Sequence, residues 1–305
     1  MERKRNYLIL FLVVLSLSCS KEQETATDFS IINLKWNKSY PNQTREDAVK
    51  GLNWTLSNIG VSIKSNDYLE VSDNIMTLNI NALSLEDGGR EPLLKLHESI
   101  FNSQEYILNN NIDLGRYVCL LIGASNHYFE LVQIPNALHD VLSNYQLLPV
   151  KGKINNSSVS YVDRVVEYSN LTNGKQLFLS TEIDSVTDSV YEYETIEIMK
   201  NGQLKFGVYG KNGLRKNSSD PLITDAGKMA KCMWCHESNY APLINRQLNE
   251  PGYLLAQQLD DTIKMYQQKL FTYQTKLTNS VVKYGRLQEH TKMELLYMKV
   301  TFQMD

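Results

Sequence analysis

Beyond Pro251 the chain carries no further proline, and its only glycine after Gly252 is Gly285. Within that stretch Leu259, Ile263, Tyr266, Leu270, Tyr273 and Leu277 follow one another at alternate steps of four and three. Such spacing gathers all six side chains on one side of an α-helix. A helix of this kind must lay its apolar seam against something else. A second stretch, Leu287–Phe302, either folds back at Gly285 or continues the same helix. A further short helix is expected over Asp225–Glu237, so the chain reads as helical from about residue 220.

Residues 29–219 read differently. Thr44 and Asp47 have the spacing of a capping box, in front of a helix carrying Leu52, Trp54 and Leu56 toward Gly60. Leu93, Leu96, Ile100, Tyr106 and Leu108 predict a helix over Pro92–Leu108. The apolar run Tyr117–Ile122, between Gly115 and Gly123, predicts a buried strand paired with Tyr128–Ile134. Further strands are expected at Val159–Tyr168, Gln176–Ser180 and Tyr191–Met199. Asn201-Gly202 is a hairpin signal, with Leu204, Phe206 and Val208 alternating behind it, and Asn212-Gly213 marks another turn. The expected fold is α+β: a mixed helix and antiparallel-sheet domain over 29–219, then a helical domain over 220–305. At 305 residues both can bury a core.

Formal net charge is −3, without the basic excess of a nucleic-acid binder, so no nucleic-acid partner is expected. Four cysteines exclude a disulfide-dense scaffold. The N-terminus is more specific. Glu2-Arg3-Lys4-Arg5 leads into Tyr7–Leu15, nine residues of apolar or aromatic character. A bilayer span takes about 20, so residues 1–18 read as a secretory signal peptide. Ser16-Leu17-Ser18-Cys19 resembles the lipobox of bacterial lipoproteins, with Ser16 where leucine is commonest. The alternative is an ordinary signal peptide cut at small residues. Residues 19–28 form a polar tether whose charged cluster resembles the surface-export signal of Bacteroidota lipoproteins. The resemblance implies acylation of Cys19 and attachment to the outer membrane, facing the periplasm or the surface. Without residues 1–18 the charge balance falls to −5, so attachment would come from acyl chains rather than a basic patch.

Cys232-Met233-Trp234-Cys235-His236 is a C-x-x-C-H sequence. Two thiols three residues apart on a helical turn can each add to a vinyl group of one porphyrin, with the adjoining imidazole under the iron. The segment resembles the attachment motif of c-type cytochromes. Ala226-Gly227-Lys228-Met229 stands before it like the small-residue contact of a cytochrome's first helix. Ala241-Pro242-Leu243 follows like the Pro-x-Leu segment behind the haem histidine. The likeness spans residues 224–245 and implies a cytochrome c-like helical domain with one covalent haem c. It assigns Cys232 and Cys235 to the thioethers and His236 to the proximal iron position. By the same likeness the Pro242 carbonyl would accept the imidazole N–H, and Trp234 would pack on the porphyrin edge. No methionine occurs in Glu237–Gln257, where a distal ligand is usual. The distal candidates are Met265, Met293, Met298 and His290, or the position is open. The expected role is extracytoplasmic electron transfer with a redox protein partner. Zinc at Cys232, Cys235 and His236, a redox pair and a plain disulfide stay open as alternatives. With them stands a different class of function, a non-redox surface module that binds a ligand through the first domain.

Other partial motifs carry less. His97-Glu98 begins like a zinc-protease helix but has Phe101 at the second histidine position, and reads as a helix-surface pair. Gly123-Ala124-Ser125-Asn126-His127 begins like a nucleophile elbow with His127 at the last glycine, and reads as a hairpin turn. His127 and His139 have no partner at ligand spacing. Cys119 reads as an inert core thiol.

Overall fold

Thr44 Oγ1 accepts from the Asp47 amide at 3.1 Å, and the Asp47 carboxylate accepts from the Thr44 amide at 3.0 Å. This capping box starts α1 (Arg45–Asn58) at the expected place. The computed structural model describes residues 28–38, 42–63, 65, 67–85, 88–240, 243 and 245–277. A first sheet has the order β2-β3-β1-β4. It contains β1 (Ile31–Lys35), β2 (Leu69–Ser72), β3 (Ile75–Asn79) and the two-residue β4 (Ile112–Asp113), with only the β1–β4 pair parallel. Ile32, Leu34, Met76 and Leu78 turn inward from it and share one core with Leu52, Trp54 and Leu56 of α1.

The single helix expected over Pro92–Leu108 is two. α2 (Arg90–Phe101) and α3 (Gln104–Asn109) meet at Ser103, whose hydroxyl accepts from the Tyr106 amide at 3.3 Å and so caps the second. Leu108, expected on the buried seam, is 72% exposed. The two strands expected next are also helical. Asp113 Oδ1 accepts from the Arg116 amide at 3.0 Å and opens α4 (Leu114–Val118), which runs into a π-helical turn at Cys119–Gly123. α5 (Ser125–Leu131) follows directly, so Gly123–His127 is neither a hairpin turn nor a strand-to-helix elbow. A short apolar run fits a buried helix as well as a buried strand, and here the Asp113 cap decides. α6 (Leu138–Leu142) completes this layer.

The second sheet is a five-stranded antiparallel meander: β5 (Gly152–Ile154), β6 (Asp163–Tyr168), β7 (Leu177–Ile183), β8 (Val190–Ile198) and β9 (Leu204–Gly210). β7 buries both of its faces, the polar Thr181 and Glu182 included. The expected Asn201-Gly202 hairpin joins β8 to β9, with Gly202 at φ +86°. Asn201 Nδ2 donates to the Ser57 and Val61 carbonyls at 2.8 and 3.0 Å, tying the hairpin to the end of α1.

The cytochrome c-like helical domain expected over 220–305 is not what the chain forms. Among the described residues beyond 220 there are two helices, α7 (Met229–His236) and α8 (Ala256–Lys276), joined by an irregular segment. Both lie on the second sheet and its neighbours rather than on each other. Tyr266 of α8 meets Tyr168 of β6 and Phe178 of β7 edge-on at 5.5 and 5.8 Å, and Leu259 caps Gly152 of β5. The α8 seam was legible, with Leu259, Ile263, Tyr266 and Leu270 buried. Its partner was not, because a seam says only that something apolar lies opposite. The sheet face supplies it. The class is α+β with two antiparallel-rich sheets and a helical layer on the second. No described helix is long and apolar enough to cross a membrane.

Candidate functional site

α7 is anchored by Met229, Ala230 and Met233, which are fully buried. Its packing partners are β9, α5 and the π-helical turn. The following side chains therefore face the second sheet. Trp234, Cys235 and His236 line a cavity of about 480 Å³, within the ~300–1,000 Å³ typical of cofactor sites. Cys232, one turn before His236, is half-buried against the core beside them. The two sulfurs are free thiols, not a disulfide.

The wall opposite is one face of the second sheet, fixed by strand register. Val166, Ser180 and Glu194 stand in one cross-strand row, and Tyr168, Phe178, Ile196 and Phe206 in the next. Phe206 of the apolar row approaches the His236 ring at 5.5 Å between centroids. Tyr240, Leu243 and Ile263 close the apolar end of the cavity, while Asn156, Ser157 and Ser158 form a polar rim. The Ser180 hydroxyl is buried in the sheet wall without a hydrogen-bond partner among the described residues.

The polar end is charged. Arg164 pairs with Glu182 at 2.5 Å and approaches Glu194 at 3.6 Å. Ser160 donates to the other Glu182 oxygen at 2.5 Å. Burial pushes the Glu182 carboxyl up to about 8, against the pull of the Arg164 guanidinium. Burial also raises both Cys232 and Cys235 thiols and lowers His236, so all three are held in their neutral forms.

The helix ends abruptly after His236. Glu237 adopts φ +52° and ψ −119°, a costly conformation for a residue with a Cβ, while its amide donates to Met233 at 2.7 Å. This reversal carries residues 238–240 back toward His236. The Asn239 carbonyl accepts from His236 Nδ1–H at 3.3 Å. Comparison with protein-family models, with curated proteins and with solved structures found no match. The chemistry of the site thus rests on its own residues. Among the described residues, no group of three His, Cys, Asp or Glu side chains is arranged to hold a metal ion.

Of the residues singled out in the sequence, Trp234, Cys235 and His236 line the cavity, while Cys232 packs against the core beside them without lining it. Met265 is 44% exposed on α8 and does not line the cavity, so it is not poised as a distal ligand. Pro242, Met293, Met298, His290 and Cys19 lie outside the described residues. His97 is not a surface residue but fully buried, accepting from Tyr117 and donating to the Phe29 carbonyl. Cys119 is buried as expected, in the π-helical turn rather than a strand. Arg164, Ser180 and Glu194 gave no sequence signal. A polar residue in a strand or amphipathic helix reads as solvent-facing until the opposing layer is known.

Proposed function

We propose that the protein is an exported lipoprotein carrying one covalent haem c, with a role in single-electron transfer outside the cytoplasmic membrane. The observation that carries this reading is the entry of Cys235 and His236, from a C-x-x-C-H helix, into a 480 Å³ cavity with an apolar sheet wall. The donor set suits the group. Haem iron takes four ligands from its own macrocycle, so one imidazole suffices, whereas zinc needs three or four converging protein ligands. The unpartnered Ser180 hydroxyl in the wall is a further sign of a site shaped for a bound molecule.

Cys232 and Cys235 would each add S–H across a vinyl C=C, sulfur bonding one carbon and hydrogen the other, without an external oxidant. His236 would offer Nε2 to the iron, because its Nδ1–H is committed to Asn239. Bound haem c supplies a one-electron iron couple. Trp234, Phe178 and Ile196 line the cavity and would exclude water from around the group, and such burial is one of the levers on potential. Acyl chains on Cys19 would hold the protein at the membrane beside a redox protein partner. The distal candidates Met293, Met298 and His290 lie outside the described residues, so a haem enzyme with an open distal position stands beside the carrier reading.

The test is expression in a host with cytochrome c maturation machinery, read by pyridine haemochrome spectrum and intact mass. One haem that survives denaturation, and is absent from the Cys232→Ala/Cys235→Ala double variant, supports the reading. Good export with no haem sinks it and returns the chain to a non-redox surface module. Ferric and ferrous spectra of the loaded protein then separate a six-coordinate carrier from an open site.

A further inference from the structure

Asn239 is tied to His236 locally, its amide donating to the His236 carbonyl at 2.8 Å, and the segment behind the helix is also held from across the site. Gln267, on the fourth turn of α8, takes hold of two successive residues of that segment. Its Oε1 accepts from the Tyr240 amide at 2.6 Å, and its Nε2 donates to Asn239 Oδ1 at 3.0 Å. Two turns later, Gln274 Nε2 donates to the Ser238 carbonyl at 3.0 Å and to the Gly202 carbonyl at 2.8 Å. The Tyr240 hydroxyl donates to Gln176 Oε1 at 3.0 Å, fixing the far end to the sheet. Besides the Asn239 amide bond to the His236 carbonyl, side chains hold the segment that follows the Glu237 reversal. Two glutamines on one helix supply most of those contacts.

We propose that Gln267 is a positioning residue for His236, setting the orientation and basicity of the imidazole through the Asn239 carbonyl. This rests on the haem reading above, in which His236 is the proximal ligand. A carbonyl that accepts from Nδ1–H fixes the tautomer, leaves Nε2 free, and makes the ring a stronger electron donor. A stronger donor favours the oxidised metal. Loosening Asn239 should therefore raise the midpoint potential without removing the haem.

The experiment compares the haem-loaded wild type with Gln267→Ala and Gln267→Glu. Haem content by pyridine haemochrome serves as the control, and potentiometric titration as the readout. Gln267→Ala is expected to keep full haem and shift the potential upward, by up to roughly a tenfold change in the oxidised-to-reduced ratio at a fixed potential. Gln267→Glu keeps the acceptor for Tyr240 and loses the donor to Asn239, so an intermediate shift is expected. Unchanged potentials at full haem content overturn the proposal. A second arm uses the haem-free chain and nitrogen NMR of the His236 ring. A single Nδ1–H tautomer in the wild type, mixed in Gln267→Ala, supports the positioning role. Identical tautomers in both overturn it. If wild type takes up no haem, the first arm has failed the haem reading, and the second still decides on Gln267.

Discussion

His97 Nε2 lies 2.8 Å from the hydroxyl of Tyr117, and neither residue has any exposed surface. The other ring nitrogen, Nδ1, is 2.8 Å from the Phe29 carbonyl, which can only accept. Nδ1 therefore carries the proton of the neutral ring, and Nε2 then accepts from Tyr117. Burial lowers the His97 pKa to about 4. The neutral form is thus favoured in the fold, so its stabilisation is complete above the unfolded value near 6.5 and is lost as pH falls toward 4. Tyr117→Phe should cost ~1–3 kcal/mol at pH 7 by leaving a buried acceptor unpaired. Urea unfolding at pH 7 and pH 5 checks both. An unchanged midpoint in Tyr117→Phe would show that the bond adds nothing.

The three described cysteines should differ in reactivity when no haem is attached. The thiolate is the nucleophile, so burial and a raised pKa both slow alkylation. Cys235 is exposed, Cys232 is half-buried with a more strongly raised thiol, and Cys119 is buried and pushed up to about 11. Iodoacetamide followed by peptide mass mapping at pH 8 should label Cys235 first and both others far more slowly. Labelling of Cys119 as fast as Cys235 would contradict the burial described here.

Docking of α8 onto the meander can be probed at one close contact. A Cβ on Gly152 would lie 2.5 Å from Leu259 Cδ1, and Leu259 is fully buried. Gly152→Ala should cost ~1–3 kcal/mol through overpacking, and Leu259→Ala ~2–5 kcal/mol through the cavity it leaves. Combined, the two should cost less than their sum, because the added methyl occupies space that the leucine vacates. Denaturant unfolding of the four proteins measures the coupling. Strict additivity would mean that α8 does not sit on β5 as described.

What was legible in the sequence followed from local physics. The Thr44 capping box, the Asn201-Gly202 hairpin and the α8 seam each depend on residues within a turn or two of one another. What misled was context. Tyr117–Ile122 is apolar enough for a strand, yet the Asp113 cap and the layer around it make it helical. The fold expected of the C-terminal region came from likeness over residues 224–245 alone, and the sheet face that receives α7 and α8 lies dozens of residues earlier. The site was half legible for the same reason. C-x-x-C-H announces itself by spacing, while Arg164 and Ser180 become cavity residues only through the register of β6, β7 and β8.

Glu182 gives the sharpest pH test because its expected slope opposes that of His97. The carboxyl is fully buried, paired with Arg164 at 2.5 Å, and pushed up to about 8. A carboxyl whose folded pKa lies above its unfolded value of 4.5 favours the protonated fold. Its stabilisation is present below 4.5 and is lost as pH rises through 8. Glu182→Gln keeps the shape without the titration, so its stability should fall less than wild type between pH 5 and pH 8. Glu192, also raised by burial, stays in both proteins and cancels in the comparison. Arg164→Met removes the cation that stabilises the ionised form. It should cost ~3–5 kcal/mol near pH 8, and less at pH 5, where the carboxyl is neutral without help. Urea denaturation of the three proteins at both pH values reads these slopes directly. Parallel pH profiles for wild type and Glu182→Gln would mean that Glu182 does not titrate in this range, and that Arg164 holds it ionised throughout.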